Sequence, residues 1–179
     1  TPVISSAASD VYQRQRQFTD ADLPNVFRGL SHPDVIKHYG ISFDSLEATK
    51  EQMTWFADHE KNRTGIWWAV CAKDGTFLGA GGLNDLIKKD RKAEIVFWLL
   101  PESWGKGYMS EAMPLILDYA FNTMGLHRIE GFVESHNTNC KKAIEKLQFT
   151  LEGTMKDCEF KDGEFISVDI FAKLSNKTS

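Results

Sequence analysis

The sequence predicts an α/β fold in which seven strands and several helices share one core, and three observations carry that reading. Segments with apolar residues at helical spacing alternate with β-branched and aromatic runs. The run Glu94-Ile95-Val96-Phe97-Trp98-Leu99-Leu100 is almost continuously apolar, as in a central strand covered on both faces. No internal repeat, low-complexity block or Pro/Gly linker divides the chain, and its 179 residues, 42% hydrophobic, suit a single core. Residues 1–10 read as a loose Ser/Ala-rich start and 11–175 as one domain.

Thr19-Asp20-Ala21-Asp22 is a capping-type start, its hydroxyl placed to accept from a first-turn N–H, and Leu23, Val26, Phe27 and Leu30 follow at helical spacing, with Pro24 in the first turn. A second helix starts at Ser45, carries Leu46, Thr49, Met53 and Phe56 as its apolar stripe, and ends near Arg63 and Gly65. Ile66–Ala72 and Phe77–Leu83 form a hairpin around Lys73-Asp74-Gly75. Trp67 and Trp68, adjacent on a strand, point to opposite faces, so at most one lines a cleft. Asp90-Arg91 turns into the central strand, which Pro101 closes. A helix over Ser110–Met124 is expected, with Pro114 tolerated because it lies near the beginning and Gly125 as the C-terminal cap. Ile129, Gly131 and Val133 mark a strand; Asn137 caps a helix striped by Ala143, Ile144 and Leu147. Strands at about 149–160 and 165–173 flank Lys161-Asp162-Gly163. The order is strand, two helices, three strands, helix, strand, helix, two strands.

Composition excludes several classes. Cys71, Cys140 and Cys158 form an odd set without a C-x-x-C pair, which points to free thiols and a cytoplasmic setting. A net charge of −4 lacks the basic footprint of a nucleic-acid binder, and no run approaches the length of a membrane span. His32, His38, His59, His127 and His136 are scattered without metal-ligand spacing, so no metal is expected.

The chemistry concentrates between Ala93 and Ala112, where a central strand runs through Trp104-Gly105-Lys106-Gly107-Tyr108-Met109 into a helix. Backbone N–H groups at a helix start, approached closely through glycines, can cradle a pyrophosphate, and Lys106 adds charge. The turn is neither a Walker A loop nor a G-x-G-x-x-G fingerprint, and Gly79, Gly81 and Gly82 sit inside a strand pattern. Alone, it also fits an ordinary tight turn.

Context decides. Ser31-His32-Pro33-Asp34-Val35, Lys92-Ala93-Glu94-Ile95, Trp98-Leu99, Trp104-Gly105-Lys106-Gly107-Tyr108, Glu111-Ala112, Asp118-Tyr119-Ala120-Phe121, Gly125-Leu126-His127-Arg128-Ile129-Glu130, Asn137 and Glu145-Lys146-Leu147 occur in order along nearly the whole chain. With these the sequence resembles the GCN5-related N-acetyltransferase superfamily, in its RimJ/RimL-like branch of ribosomal-protein N-terminal acetyltransferases. The resemblance implies a mixed, mostly antiparallel seven-stranded sheet splayed at a central cleft, with helices on both faces and acetyl-CoA as co-substrate.

It also implies site residues. Trp98, Leu99 and Leu100 offer backbone pairing to the pantetheine arm; Gly105, Lys106, Gly107, Tyr108, Met109 and Ser110 hold the pyrophosphate; Asn137 contacts cofactor and strand, or is a plain N-cap; Lys141 and Lys142 meet the nucleotide phosphate or are solvated. A backbone N–H near Leu99 polarises the thioester carbonyl. Glu94 is the base, often acting through water, unless it is a strand carboxylate paired with Arg91 or Arg128. Glu159 is a second candidate base or an exposed strand residue, and Cys140 stands where the branch has a serine proposed to protonate the leaving thiolate, unless it is merely a small residue whose pKa the helix start depresses. Four positions depart from the superfamily pattern: Trp104 replaces the usual Gln/Arg, as is ordinary in this branch, Met109 replaces a small residue and is expected to narrow the pyrophosphate turn, Ile144 replaces the usual tyrosine and Gln148 the usual glycine. The acceptor implied is a primary amine, a protein N-terminus first, with a small-molecule amine, polyamine or antibiotic as alternatives, on a monomer or homodimer. A non-catalytic acyl-CoA sensor is the remaining alternative.

Overall fold

The computed structural model describes residues 13–176; the loose start expected over 1–10 lies outside the described residues. Seven strands form one sheet: β1 (Gln13–Arg16), β2 (Ile66–Ala72), β3 (Phe77–Ile87), β4 (Lys92–Leu99), β5 (Arg128–Glu134), β6 (Thr150–Lys161) and β7 (Glu164–Leu174). Their spatial order is β1-β2-β3-β4-β5-β7-β6. Only β4 and β5 run parallel; every other neighbouring pair is antiparallel.

Five α-helices cover the sheet: α1 (Leu23–Leu30), α2 (Pro33–Ile36), α3 (Leu46–Lys61), α4 (Tyr108–Asp118) and α5 (Thr138–Lys146). Because side chains alternate along a strand, Trp67 and Trp68 enter different cores. Trp67 joins Val26, Leu30, Phe56, Ala80 and Trp98 beneath α1 and α3. Trp68 joins Met113, Ile116, Ile129, Ile144 and Phe171 beneath α4 and α5. Both indoles are almost fully buried, so the pair serves packing.

At the first helix start, the Asp22 carboxylate accepts from the Thr19 N–H (2.8 Å) and hydroxyl (3.1 Å), completing the capping box expected there. Arg16 then clamps Asp22 through two bonds of 2.7 Å, tying β1 to the entrance of α1. Helix α3 begins as expected, with Ser45 Oγ accepting from Ala48 N–H at 3.2 Å. Leu46 nevertheless stays exposed, while Gln52 is buried beside Thr49 and Phe56. The sequence reading missed α2, a single turn with Pro33 at its first position.

The helix expected over Ser110–Met124 begins at Tyr108 and passes at Tyr119–Thr123 into a π turn. Pro114 is its seventh residue and not near its beginning. The proline is exposed, so the carbonyl it leaves unpaired faces water. Gly125, at φ +70°, closes the segment, with Leu126 N–H donating to the Ala120 carbonyl at 3.0 Å. No helix among the described residues is long and apolar enough to cross a membrane.

Candidate active site

The parallel pair is short. β4 and β5 face each other only at Lys92/Arg128, Ala93/Ile129 and Glu94/Glu130, although β4 stays paired to β3 as far as Leu99 and β5 to β7 as far as Glu134. Beyond Glu94 the two strands part and open a cleft. Beneath the fork, Ile144 of α5 fills the space that a side chain at Gly131 would need, since its Cδ1 lies 2.3 Å from where that Cβ would be. The position of the family's helix tyrosine is thus a core isoleucine.

The ladder determines which backbone groups face the cleft. Leu100 N–H donates to the Leu78 carbonyl at 2.8 Å. Pairing groups alternate along an antiparallel strand, so Trp98 and Leu100 direct their amides to β3, and Leu99 and Phe97 direct theirs into the opening. This corrects the expectation that Trp98, Leu99 and Leu100 all offer pairing to a ligand there. Leu99 does, Phe97 was missed, and the Trp98 indole packs under Gly29. The Leu99 carbonyl already accepts from Trp104 Nε1 at 2.9 Å, which leaves its N–H as the free group.

At the end of β4, Pro101–Ser103 form a 3-10 turn, and Gly105 (φ +71°) and Gly107 (φ +83°) lead into α4. A Cβ at either glycine would meet nothing within 4 Å, so the requirement is conformational. The first N–H groups of α4, from Tyr108, lack intrahelical partners and point out of the helix start. Lys106 and Ser110 are exposed there, while Met109 packs down between the cores under α4 and so does not narrow the turn. Gly107→Ala is expected to cost about 1–2 kcal/mol in forming this turn, read as roughly tenfold weaker CoA binding in calorimetry. Gly153→Ala, in open space, serves as the control.

Glu94 lies on the α1/α3 face at the fork. Burial first, then the Asp85 carboxylate, which shares a hydrogen bond with it, and then Glu130 push its pKa up to about 7. Neither arginine expected as a partner reaches it. Arg91 Nε donates to the Gly125 carbonyl (2.8 Å), and Arg128 takes Glu130 (2.7 Å) and Glu152 (2.6 and 2.9 Å). Near neutral pH Glu94 therefore exchanges a proton readily. Tyr39, whose phenol is held protonated by burial and by Glu94, leans toward it from the α2–α3 loop.

Asn137 caps α5, its Oδ1 accepting from Cys140 N–H at 3.1 Å. The Cys140 thiol is half-buried, and burial followed by Glu134 pushes its pKa up to about 11, the reverse of the lowering expected at a helix start. It stays a neutral thiol. Lys141 pairs with buried Asp169 at 2.6 Å and donates to the Ser135 carbonyl at 3.2 Å, so it anchors α5 and is not available to a phosphate. Lys142 is exposed.

Glu159 is exposed on outer strand β6, opposite Ile166. β6 lies three strands over from β4, and Glu159 sits six ladder positions from the level of Glu94 (Glu94/Glu130/Ala172 against Glu159/Ile166), so the two candidate bases do not share a ladder position. What does gather at the open end of the cleft is His38, Glu134, His136 and Lys161. Glu134 and His136, at alternate positions leaving β5, were legible as a same-side pair; His38, 96 residues away, was not.

A cleft with free strand amides on one wall, a glycine-shaped helix start at its end and a carboxylate of near-neutral pKa at its fork can hold an extended thioester and deprotonate an amine beside it. That defines an N-acetyltransferase. Residues 15–150 match the acetyltransferase (GNAT) domain family, and the chain belongs to it. An uncharacterized N-acetyltransferase of Bacillus subtilis, YnaD, is 36% identical over 150 residues, 84% of this chain and 86% of that one. The fold superposes on RimL, the ribosomal L7/L12 α-N-protein acetyltransferase, with a TM-score of 0.86 at 16% identity, covering 97% of this chain and 94% of that one. It also superposes on spermidine N-acetyltransferase from Vibrio cholerae in complex with CoA and spermine, with a TM-score of 0.82 at 21% identity over 91% and 95% of the two chains.

Proposed function

We propose that this acetyltransferase takes acetyl-CoA as donor and acetylates an acceptor bearing one ammonium group, a protein N-terminus of the ribosomal-protein type. The charge balance of the cleft carries the reading. Glu130 is neutralised by Lys92 and Arg128, Glu134 by Lys161 with His38 beside it, and Glu152 by Arg128. Among the described residues Glu94 with Asp85 pairs with no lysine or arginine, which suits one ammonium and not the several of a polyamine. The likeness to RimL supports the same choice, and the likeness to the spermidine enzyme supports the alternative.

The donor supplies an acyl group activated as a thioester. Around it, the Leu99 and Phe97 amides orient the strand-bound arm and one of them polarises the carbonyl. Gly105 to Ser110, with Lys106, hold the phosphates, and Asn137 fixes the start of α5. Glu94, sharing its proton with Asp85, draws the proton from the ammonium, directly or through water. Cys140, neutral at its raised pKa, presents a proton where the departing sulfur needs one. Glu159, exposed on outer strand β6, is assigned no part in these steps. The free thiols of Cys71, Cys140 and Cys158 fit a cytoplasmic protein, acting as a monomer or homodimer.

The test is thiol release from acetyl-CoA with a panel of a ribosomal-protein N-terminal peptide, spermidine, an amino acid and an aminoglycoside. At least tenfold higher kcat/KM for the peptide is expected. A preference for spermidine would replace this reading with the polyamine one, and cofactor binding without thiol release from any acceptor would replace it with the sensor.

A further inference from the structure

The cluster at the wide end of the cleft has no part in the chemistry above, and its donor atoms are arranged around a common point. The geometry points to a binding site for a divalent transition-metal ion of the zinc type, held by His38, Glu134 and His136. One ligand atom from each lies within 4.8 Å of the others. His38 Nδ1 is hydrogen-bonded to Glu134 Oε2, and His136 Nε2 lies 3.3 Å from the same oxygen. Zinc–nitrogen and zinc–oxygen bonds of about 2.0–2.2 Å place tetrahedral ligand atoms roughly 3.3 Å apart. The His136–Glu134 separation already meets this spacing, and His38 reaches it by withdrawing from hydrogen-bond contact.

The two carboxylate oxygens have separate tasks. Lys161 bonds Oε1 and the Lys37 carbonyl, which holds the carboxylate in place from behind and leaves Oε2 to the imidazoles. Two imidazoles and one carboxylate suit zinc, and three protein ligands leave a fourth position open. His136 is exposed, so the site has a path from solvent.

The three ligands come from two segments that Lys161 already bridges: the α2–α3 loop supplies His38, and the end of β5 supplies Glu134 and His136. An ion here fixes that loop beside the acceptor end of the cleft. The site stands whatever the acceptor proves to be.

Chelator-stripped protein titrated with zinc chloride is expected to bind one equivalent by calorimetry. His38→Ala and His136→Ala should each weaken binding at least tenfold while leaving the metal-free melting temperature unchanged. Zinc should also slow hydrogen exchange across residues 37–43, and cobalt(II) should give visible bands of a tetrahedral site without thiolate charge transfer. Three results would overturn the assignment: no zinc binding, undiminished binding in both histidine variants, or a thiolate band showing that Cys140 or Cys158 is the ligand. If His38→Ala lowers the metal-free melting temperature, the exposed His136 variant alone decides.

Discussion

Replacing Glu94 by Gln is expected to lower kcat/KM at neutral pH by about 10²–10⁴-fold while leaving CoA affinity within about twofold, because the side chain faces the acceptor side and not the strand amides. The pH dependence gives the sharper reading. A base must be deprotonated to work, and burial with Asp85 holds the Glu94 pKa up to about 7. The wild-type rate should therefore fall as pH drops through about 7, and the variant should lose that limb. An unchanged profile in the variant would remove Glu94 from the role, and a comparable loss in Glu159→Gln alone would transfer it.

The same shift makes a prediction about stability with the opposite sign. A carboxylate whose folded pKa lies above its unfolded one binds its proton more tightly when folded. The native state therefore loses stability as pH rises from about 4.5 to about 7, the two pKa values concerned. Allowing for residual solvent contact, the cost above pH 7 is about 2 kcal/mol. Glu94→Gln is expected to be the more stable protein at pH 8 and no more stable at pH 4.5, as urea denaturation at the two pH values would show. A site that trades stability for a usable base behaves this way.

Asp169→Ala should be the most damaging single change away from the chemistry, at about 3 kcal/mol. Its buried carboxylate accepts from Ser135 Oγ and Thr154 Oγ1, both at 2.7 Å, and pairs with Lys141 at 2.6 Å, joining β5, β6, β7 and α5. Lys141 chiefly, with the two hydroxyls, holds its pKa down to about 2. The folded pKa is depressed, so this stability is present above the ordinary value of 3.8 and is lost as pH falls through about 2. Since Lys141 sits one residue past Cys140, the variant should also bind CoA more weakly. Restoring a matched apolar pair with Asp169→Leu and Lys141→Met should recover most of the stability without the binding. If Asp169→Ala melts within a degree or two of wild type, the network has no such role.

Local patterns made much of this legible. The Lys73-Asp74-Gly75 and Lys161-Asp162-Gly163 hairpins, the Ser45 and Asn137 caps, and the Gly125 stop each depend on residues within a few positions of one another, and all appear where the sequence places them. The glycines before α4 were readable for the same reason. Pro114 was misjudged because its tolerance rests on exposure of one helix face, which no local pattern states. Gln148 at φ +63°, where glycine is usual, shows tertiary packing overriding a local preference.

What the sequence determined by itself was the set of elements, their order and the stretch carrying the cofactor chemistry, because turn conformation, capping and side-chain period are properties of neighbouring residues. The tertiary structure alone decided which charges meet. Only the fold sends Arg128 to Glu152 and leaves Glu94 beside Asp85, binds Lys141 to Asp169, and brings His38 across 96 residues to Glu134. Charge interactions act through space at a few ångströms, and sequence separation carries no information about that distance.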